Sequence, residues 1–233
     1  MSDTTAYIPS APTAVIELDG TRRAQFITRT YQHLLGAILA FTGIEILLFR
    51  SGLAYPIAQA MLSVSWLLVL GGFMVAGWLF SGMAQKAVTP AGQYAALGGY
   101  VLAEAVLFVP LLVIAEYAAP GAIQSAALAT LLGFSGLTAV AMFSGKDFSF
   151  MGSMLRWGGV AALVLIVCGV LFGFHLGVFF SVAMVALAGG AILYETSKIM
   201  YQYPEDRHVA ASLALFASVA LMFWYVLSIF SRR

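Results

Sequence analysis

The chain reads as an all-α polytopic membrane protein, seven transmembrane helices in one bundle. Three observations predict this. Of its 233 residues, 62% are hydrophobic and only 9% charged, whereas a soluble domain carries roughly 25% charged residues. A soluble protein of this length needs a charged surface that this chain lacks. Its apolar residues fall into seven runs, each near the roughly 20 residues needed to cross a lipid bilayer. The runs are also too long and uninterrupted for the strands of a membrane β-barrel.

Residues 1–28 precede the first run. Met1 to Gln25 is polar and carries Pro9, Pro12, Asp19 and Gly20. A cleavable signal would start basic and turn apolar at once, so this stretch is expected to be a short flexible tail. Arg22, Arg23 and Arg29 close it, as in an uncleaved signal anchor. Residues 29–233 then form the membrane domain. Its spans are expected at about 31–49, 57–80, 94–115, 122–143, 153–172, 178–197 and 209–230. Turn or polar residues separate them: Arg50-Ser-Gly with Pro56, Gln85-Lys86 with Thr89-Pro90, Pro120-Gly121, Ser144-Gly-Lys-Asp147, Gly173 to Gly177, and Tyr203-Pro-Glu-Asp-Arg207. The break between spans five and six is the shortest and predicts a tight antiparallel hairpin. The glycine pairs 71–72, 98–99, 158–159 and 189–190 suit close helix approach in lipid.

Basic residues set orientation. Arg22, Arg23, Arg29, Lys86, Lys146, Arg156, Lys198 and Arg207 fall on the side of the N-terminus; Arg50, Arg232 and Arg233 fall opposite. Eight against three places the N-terminus in the cytoplasm, and seven spans then place the C-terminus outside. No basic cluster is dense enough to suggest nucleic acid. Cys168 is the only cysteine, which excludes an intramolecular disulfide and a cysteine metal site. The histidines 33, 175 and 208 are scattered and make no metal site. The aromatic residues read as lipid-facing or interfacial, with Trp157 and Trp224-Tyr225 in an aromatic belt. No cofactor and no catalytic group is implied.

Carboxylates in or beside the spans are the candidate functional groups, because a charge there is costly and needs a partner. Glu195 ends the sixth apolar run. Lys198 lies at i+3 on the same helix, a geometrically allowed ion pair, and Arg156 and Arg207 are further candidates from the same side. Glu104 is near the centre of span three, about 15 Å deep, where it must take up a proton or find a hydrogen-bond donor. Pro110 follows one and a half turns later and favours a kink. Glu195 and Glu104 differ in depth by about 12 Å, so only water could link them. Glu45, near the end of span one, is expected to snorkel, and Glu116 to be solvated. Gly133-Phe-Ser-Gly136 imitates an intramembrane serine protease motif, but no histidine shares the depth of Ser135, and a serine nucleophile needs a base.

Several stretches together resemble the Bax inhibitor-1 family, and within it the bacterial YccA-like group. They are Thr30-Tyr31, Glu104 with Pro110, Lys146-Asp-Phe-Ser-Phe-Met-Gly152 and Gly190-Ala-Ile-Leu-Tyr-Glu-Thr-Ser197. The resemblance implies a seven-helix fold with the last helix central, in a bacterial inner membrane. In some members, a pair of acids on spans six and seven shares a proton and gates a calcium leak. Glu195 matches the span-six acid. Counting back from Leu227-Ser-Ile-Phe230 puts Ser218 at the other position, and no acid occurs from Val209 to Arg233. The two-acid switch therefore cannot operate in its family form, although Ser218 can reach Glu195 through water. The YccA-like group implies binding to the membrane protease FtsH and restraining it. Two readings follow. One is a non-enzymatic regulator that engages FtsH, and the other is a pH-sensitive calcium or proton leak through the bundle using Glu195 and Glu104.

Overall fold

The structure, a computed structural model, describes residues 13–232. Residues 1–12, the distal part of the expected tail, and Arg233 lie outside the described residues. A 3-10 turn at Val15–Glu17 is followed by α1 (Gly20–Arg50), α2 (Ala54–Leu62), α3 (Trp66–Lys86), α4 (Pro90–Ala118), α5 (Ala122–Phe143), α6 (Met151–Phe172), α7 (Gly177–Tyr201) and α8 (His208–Phe230). All but α2 are long and apolar enough to cross a membrane, so the protein is an all-α polytopic membrane protein, with seven candidate spans among the described residues.

Two boundaries differ from the sequence expectation. The first helix begins at Gly20, inside the segment expected to be tail. Asp19 caps it, its carboxylate accepting from the backbone N–H groups of Thr21 and Arg22, each at 2.9 Å. An aspartate at this position satisfies donors that a helix start leaves open. The second span begins at Trp66 rather than near residue 57. The apolar residues 54–62 form the separate helix α2, which ends where the Ser63 hydroxyl donates to the carbonyl of Ala60 at 2.8 Å. Ser65 leaves the helical backbone ahead of α3, with φ −59° and ψ 127°. Hydropathy cannot see this break, because a serine pair is too mild to interrupt an apolar run. Buried Ala54 and Ala58 hold α2 against Val109 of α4.

The other elements start and stop for legible reasons. Thr89 caps α4 and Pro90 opens it, an arrangement that uses an N–H-free residue where no intrahelical bond is due. The α6–α7 hairpin turns on Gly173 and Gly177, whose φ values of 72° and 66° lie in the left-handed region. Helix α8 packs against α1, α3, α4, α5 and α7. Its contact with α4 is aromatic: the Phe108 ring stacks on Phe223 at 5.5 Å and meets Trp224 edge-on at 5.0 Å. Trp224 also stacks on Trp66 at 5.9 Å and so joins α8 to α3. Trp157, 75% exposed, does face outward.

Candidate functional site at the N-terminal end of the bundle

The two most specific motifs meet. Residues 144–150 join α5 to α6, and Ser197 lies four residues before the end of α7. The Ser197 hydroxyl donates to Asp147 Oδ1 at 2.8 Å and accepts from the Phe148 backbone N–H at 3.0 Å. The other Asp147 bonds come from Ser149, whose N–H and hydroxyl each donate at 2.9 Å. The Ser149 N–H, then the Ser197 hydroxyl, then the Ser149 hydroxyl hold the Asp147 carboxyl below its usual range. Gly152 completes the joint. A Cβ there would come within 2.9 Å of the Tyr194 ring, so a larger residue would require that ring to shift.

Glu195 sits on the same turn of α7 as this joint. Lys198 Nζ donates to its Oε1 and Oε2 at 3.3 and 3.2 Å, the i, i+3 pair expected from the sequence. Both side chains are partly buried, 15% exposed for Glu195 and 24% for Lys198. The ammonium also stands 5.0 Å from the ring centroids of Tyr194 and Tyr203, a cation–π arrangement. The Tyr203 hydroxyl donates to Glu195 Oε2 at 3.3 Å. Burial, and then the neighbouring carboxylate, push that hydroxyl well above its usual range, so it remains a donor.

Tyr203 was not singled out in the sequence, and it is the centre of the site. Its carbonyl accepts from the Val15 N–H at 2.9 Å, and the Glu205 N–H donates to the Thr13 carbonyl at 3.2 Å. Ala14 and Pro204 form an antiparallel bridge. Val15 is fully buried. Arg22 pairs with Glu205, and the Arg23 guanidinium lies 5.5 Å over the Tyr201 ring. The segment that leads into α1 is thus docked onto the 202–207 loop. The same loop is tied from the α3–α4 side: Arg207 donates to the Ala87 carbonyl, and Gln93 Nε2 donates to the Asp206 carbonyl at 3.2 Å. The usable sequence signal was density: Tyr-Pro-Glu-Asp-Arg places three charges together in a chain that is 9% charged.

The remaining candidates lie apart from Glu195. Arg207 pairs with its neighbour Asp206 at 3.3 Å. Arg156 donates from Nε to the carbonyl of Gly152 at 3.3 Å, on its own helix. Ser218 donates to the Ala214 carbonyl at 3.1 Å, and no described hydrogen bond joins it to Glu195. Glu104, 4% exposed, accepts from the Tyr100 hydroxyl at 2.7 Å, a donor one turn earlier on its own helix. Glu45 does not snorkel. It is 7% exposed, and neither of its side-chain oxygens has a hydrogen-bond partner among the described residues. Tyr31, from the weak Thr-Tyr match, approaches Thr196 of the Tyr-Glu-Thr-Ser stretch at 3.4 Å.

Three of the four stretches that resembled a family therefore meet at one end of the bundle, while Glu104 with Pro110 lies within α4. A family model described as inhibitor of apoptosis-promoting Bax1 matches residues 23–233. The chain belongs to the Bax inhibitor-1 family. Within it, the chain is similar to the Escherichia coli K12 protein named modulator of FtsH protease YccA, with 33% identity over 103 residues. It is equally similar to the inner membrane protein YccA of Escherichia coli O6:H1 strain CFT073. These matches cover 43% of this chain and 46% of each relative, so the chain spans about half the length of the curated relatives it matches. The Bax inhibitor-1 motifs are seen here as structural joints: Asp147, Ser197, Gly152 and Tyr194 hold α6, α7 and the 144–150 loop together.

Proposed function

We propose that the chain is a non-enzymatic regulator in a bacterial inner membrane that binds and restrains the protease FtsH. The similarity to a relative named as a modulator of that protease carries the reading. The geometry supports it through the docked N-terminal segment. Residues 13–15 are hydrogen-bonded to 203–205, and the 144–150 loop is hydrogen-bonded to Ser197 of α7, at the same N-terminal end. The excess of Lys and Arg assigns this end to the cytoplasm and the C-terminus to the outside. Such an end is pre-organised, so a partner that docks there orders few additional groups.

The test is copurification of the full chain with FtsH, together with FtsH turnover of a membrane substrate in vesicles with and without the chain. Retention on FtsH and slower turnover are expected. No retention with unchanged turnover overturns the proposal. A cation or proton leak is the second reading, favoured by the burial of Glu104 and Glu45 inside the bundle. It requires calcium or proton flux in reconstituted vesicles that Glu195→Gln or Glu104→Gln alters. Equal flux in empty and loaded vesicles across pH 5–8 removes it.

A further inference from the structure

An open groove of about 430 Å³ runs between α1 and α4. Gly36, Ala40 and Ile44 form one wall, and Leu97, Gly98 and Val101 the other. A Cβ at Gly36 or Gly98 would meet nothing within 4 Å, so no neighbouring side chain fills the trough. The groove is polar only at its N-terminal mouth, where Gln32, His33 and Tyr94 line it. The His33 ring is fixed there, with Nδ1 2.7 Å from the Arg29 carbonyl and Nε2 2.8 Å from the Tyr94 hydroxyl. The His208 ring stands 5.0 Å away. Arg29 lies one turn above His33, is exposed, and makes no ion pair among the described residues. It lines a shallow trough that meets the groove at Gln32.

The dimensions suit one leaflet. From Gln32 to Ile44, α1 rises about 18 Å, slightly more than half of a hydrocarbon core about 30 Å thick. The polar mouth thus falls at headgroup depth and the apolar trough along the acyl chains. A cation without an ion pair at the mouth calls for an anion, and a guanidinium presents a donor fork matched to phosphate. Basic pockets between transmembrane helices recognise acidic headgroups in this way. A partner helix about 10 Å wide can lie over a crevice between two touching helices but cannot enter it. We infer that the α1–α4 groove binds one anionic phospholipid, its phosphate at Arg29 beside His33 and Tyr94 and one acyl chain between Gly36 and Gly98.

Native mass spectrometry of the full chain tests this. The chain is released from detergent micelles containing equal phosphatidylglycerol and phosphatidylcholine with identical acyl chains. One phosphatidylglycerol is expected to be retained with about tenfold preference, the scale of one charge-assisted contact. Arg29→Gln should bring the preference near unity. Arg156→Gln, which removes an exposed arginine from α6 at the same end, should leave it unchanged. Gly98→Leu, which fills the trough, should weaken retention of both lipids. Melting curves in the same detergent check that the variants stay folded. Equal retention of the two lipids by the wild type overturns the inference, as does an Arg156→Gln loss equal to that of Arg29→Gln. It is also overturned if Gly98→Leu removes a second protein chain while lipid retention is unchanged, which assigns the groove to a helix.

Discussion

Ser197→Ala tests the joint between the 144–150 loop and α7. Ser197 is 1% exposed, and its hydroxyl makes two bonds, to Asp147 and from the Phe148 N–H. A net hydrogen bond contributes about 1 kcal/mol, and one to a charged group about 1.5–3 kcal/mol. Asp147 is exposed, so solvent screening places its bond at the lower end. Alanine recovers about 0.5 kcal/mol in helix propensity. The net cost of about 2 kcal/mol raises the open population of the loop roughly 30-fold. Lys146 makes the opening measurable, because trypsin cuts after lysine and proteolysis follows the open population when reclosing is fast. Cleavage at Lys146 in micelles should accelerate about 30-fold, with no change after Arg50 at the opposite end. An acceleration below about threefold refutes the reasoning, as does an equal one at Arg50. The same joint carries a pH signature. The folded Asp147 carboxyl is held below its ordinary value, so its contribution is complete above about pH 3.9, the unfolded value, and is lost as pH falls through the lower folded value. The wild-type loop should stay closed across pH 5–8 and loosen only below about pH 4.

Adjacent glycines should respond oppositely to alanine. A Cβ at Gly99 would sit 2.4 Å from the Phe80 ring, whereas one at Gly98 meets nothing within 4 Å; Gly99→Ala should cost about 1–3 kcal/mol, whereas Gly98→Ala should stabilise by up to about 1 kcal/mol through helix propensity, read from melting midpoints in detergent. Tyr100→Phe leaves Glu104 buried without its 2.7 Å donor and should cost about 1–3 kcal/mol by the same measurement; a neutral result shows that Glu104 does not depend on that bond. Val15→Ala removes two buried methyl groups beneath the 202–207 loop, about 1.5 kcal/mol, and should speed exchange of the backbone amide at position 15 about tenfold; unchanged exchange shows that the segment is held elsewhere.

Much of the bundle was legible in the sequence because the bilayer allows few solutions. A chain in lipid must satisfy its backbone within each segment, so an apolar run of the right length is a helix. The span at 122–143 was read with the bounds of α5. Where the reading failed, no apolar contrast marked the boundary. Ser63 and Ser65 broke a helix inside an apolar run, and Asp19 started one inside a polar tail. The Glu195–Lys198 pair was legible because helical spacing alone places i and i+3 together. Tyr203 was not, because its role depends on a carbonyl offered to Val15 and a hydroxyl offered to Glu195.

The sequence by itself determined that this protein crosses a membrane, how many spans it has and which carboxylates are unusual. Those properties follow from local hydropathy, spacing and the cost of charge in lipid. Only the tertiary structure decided which groups meet. It gave Asp147 to Ser197, Tyr203 to Glu195 and Tyr100 to Glu104, and it left Ser218 on its own helix. The physical reason is that hydropathy reports burial depth, whereas partnership depends on helix rotation and loop path, which close contacts such as Gly152 against Tyr194 set.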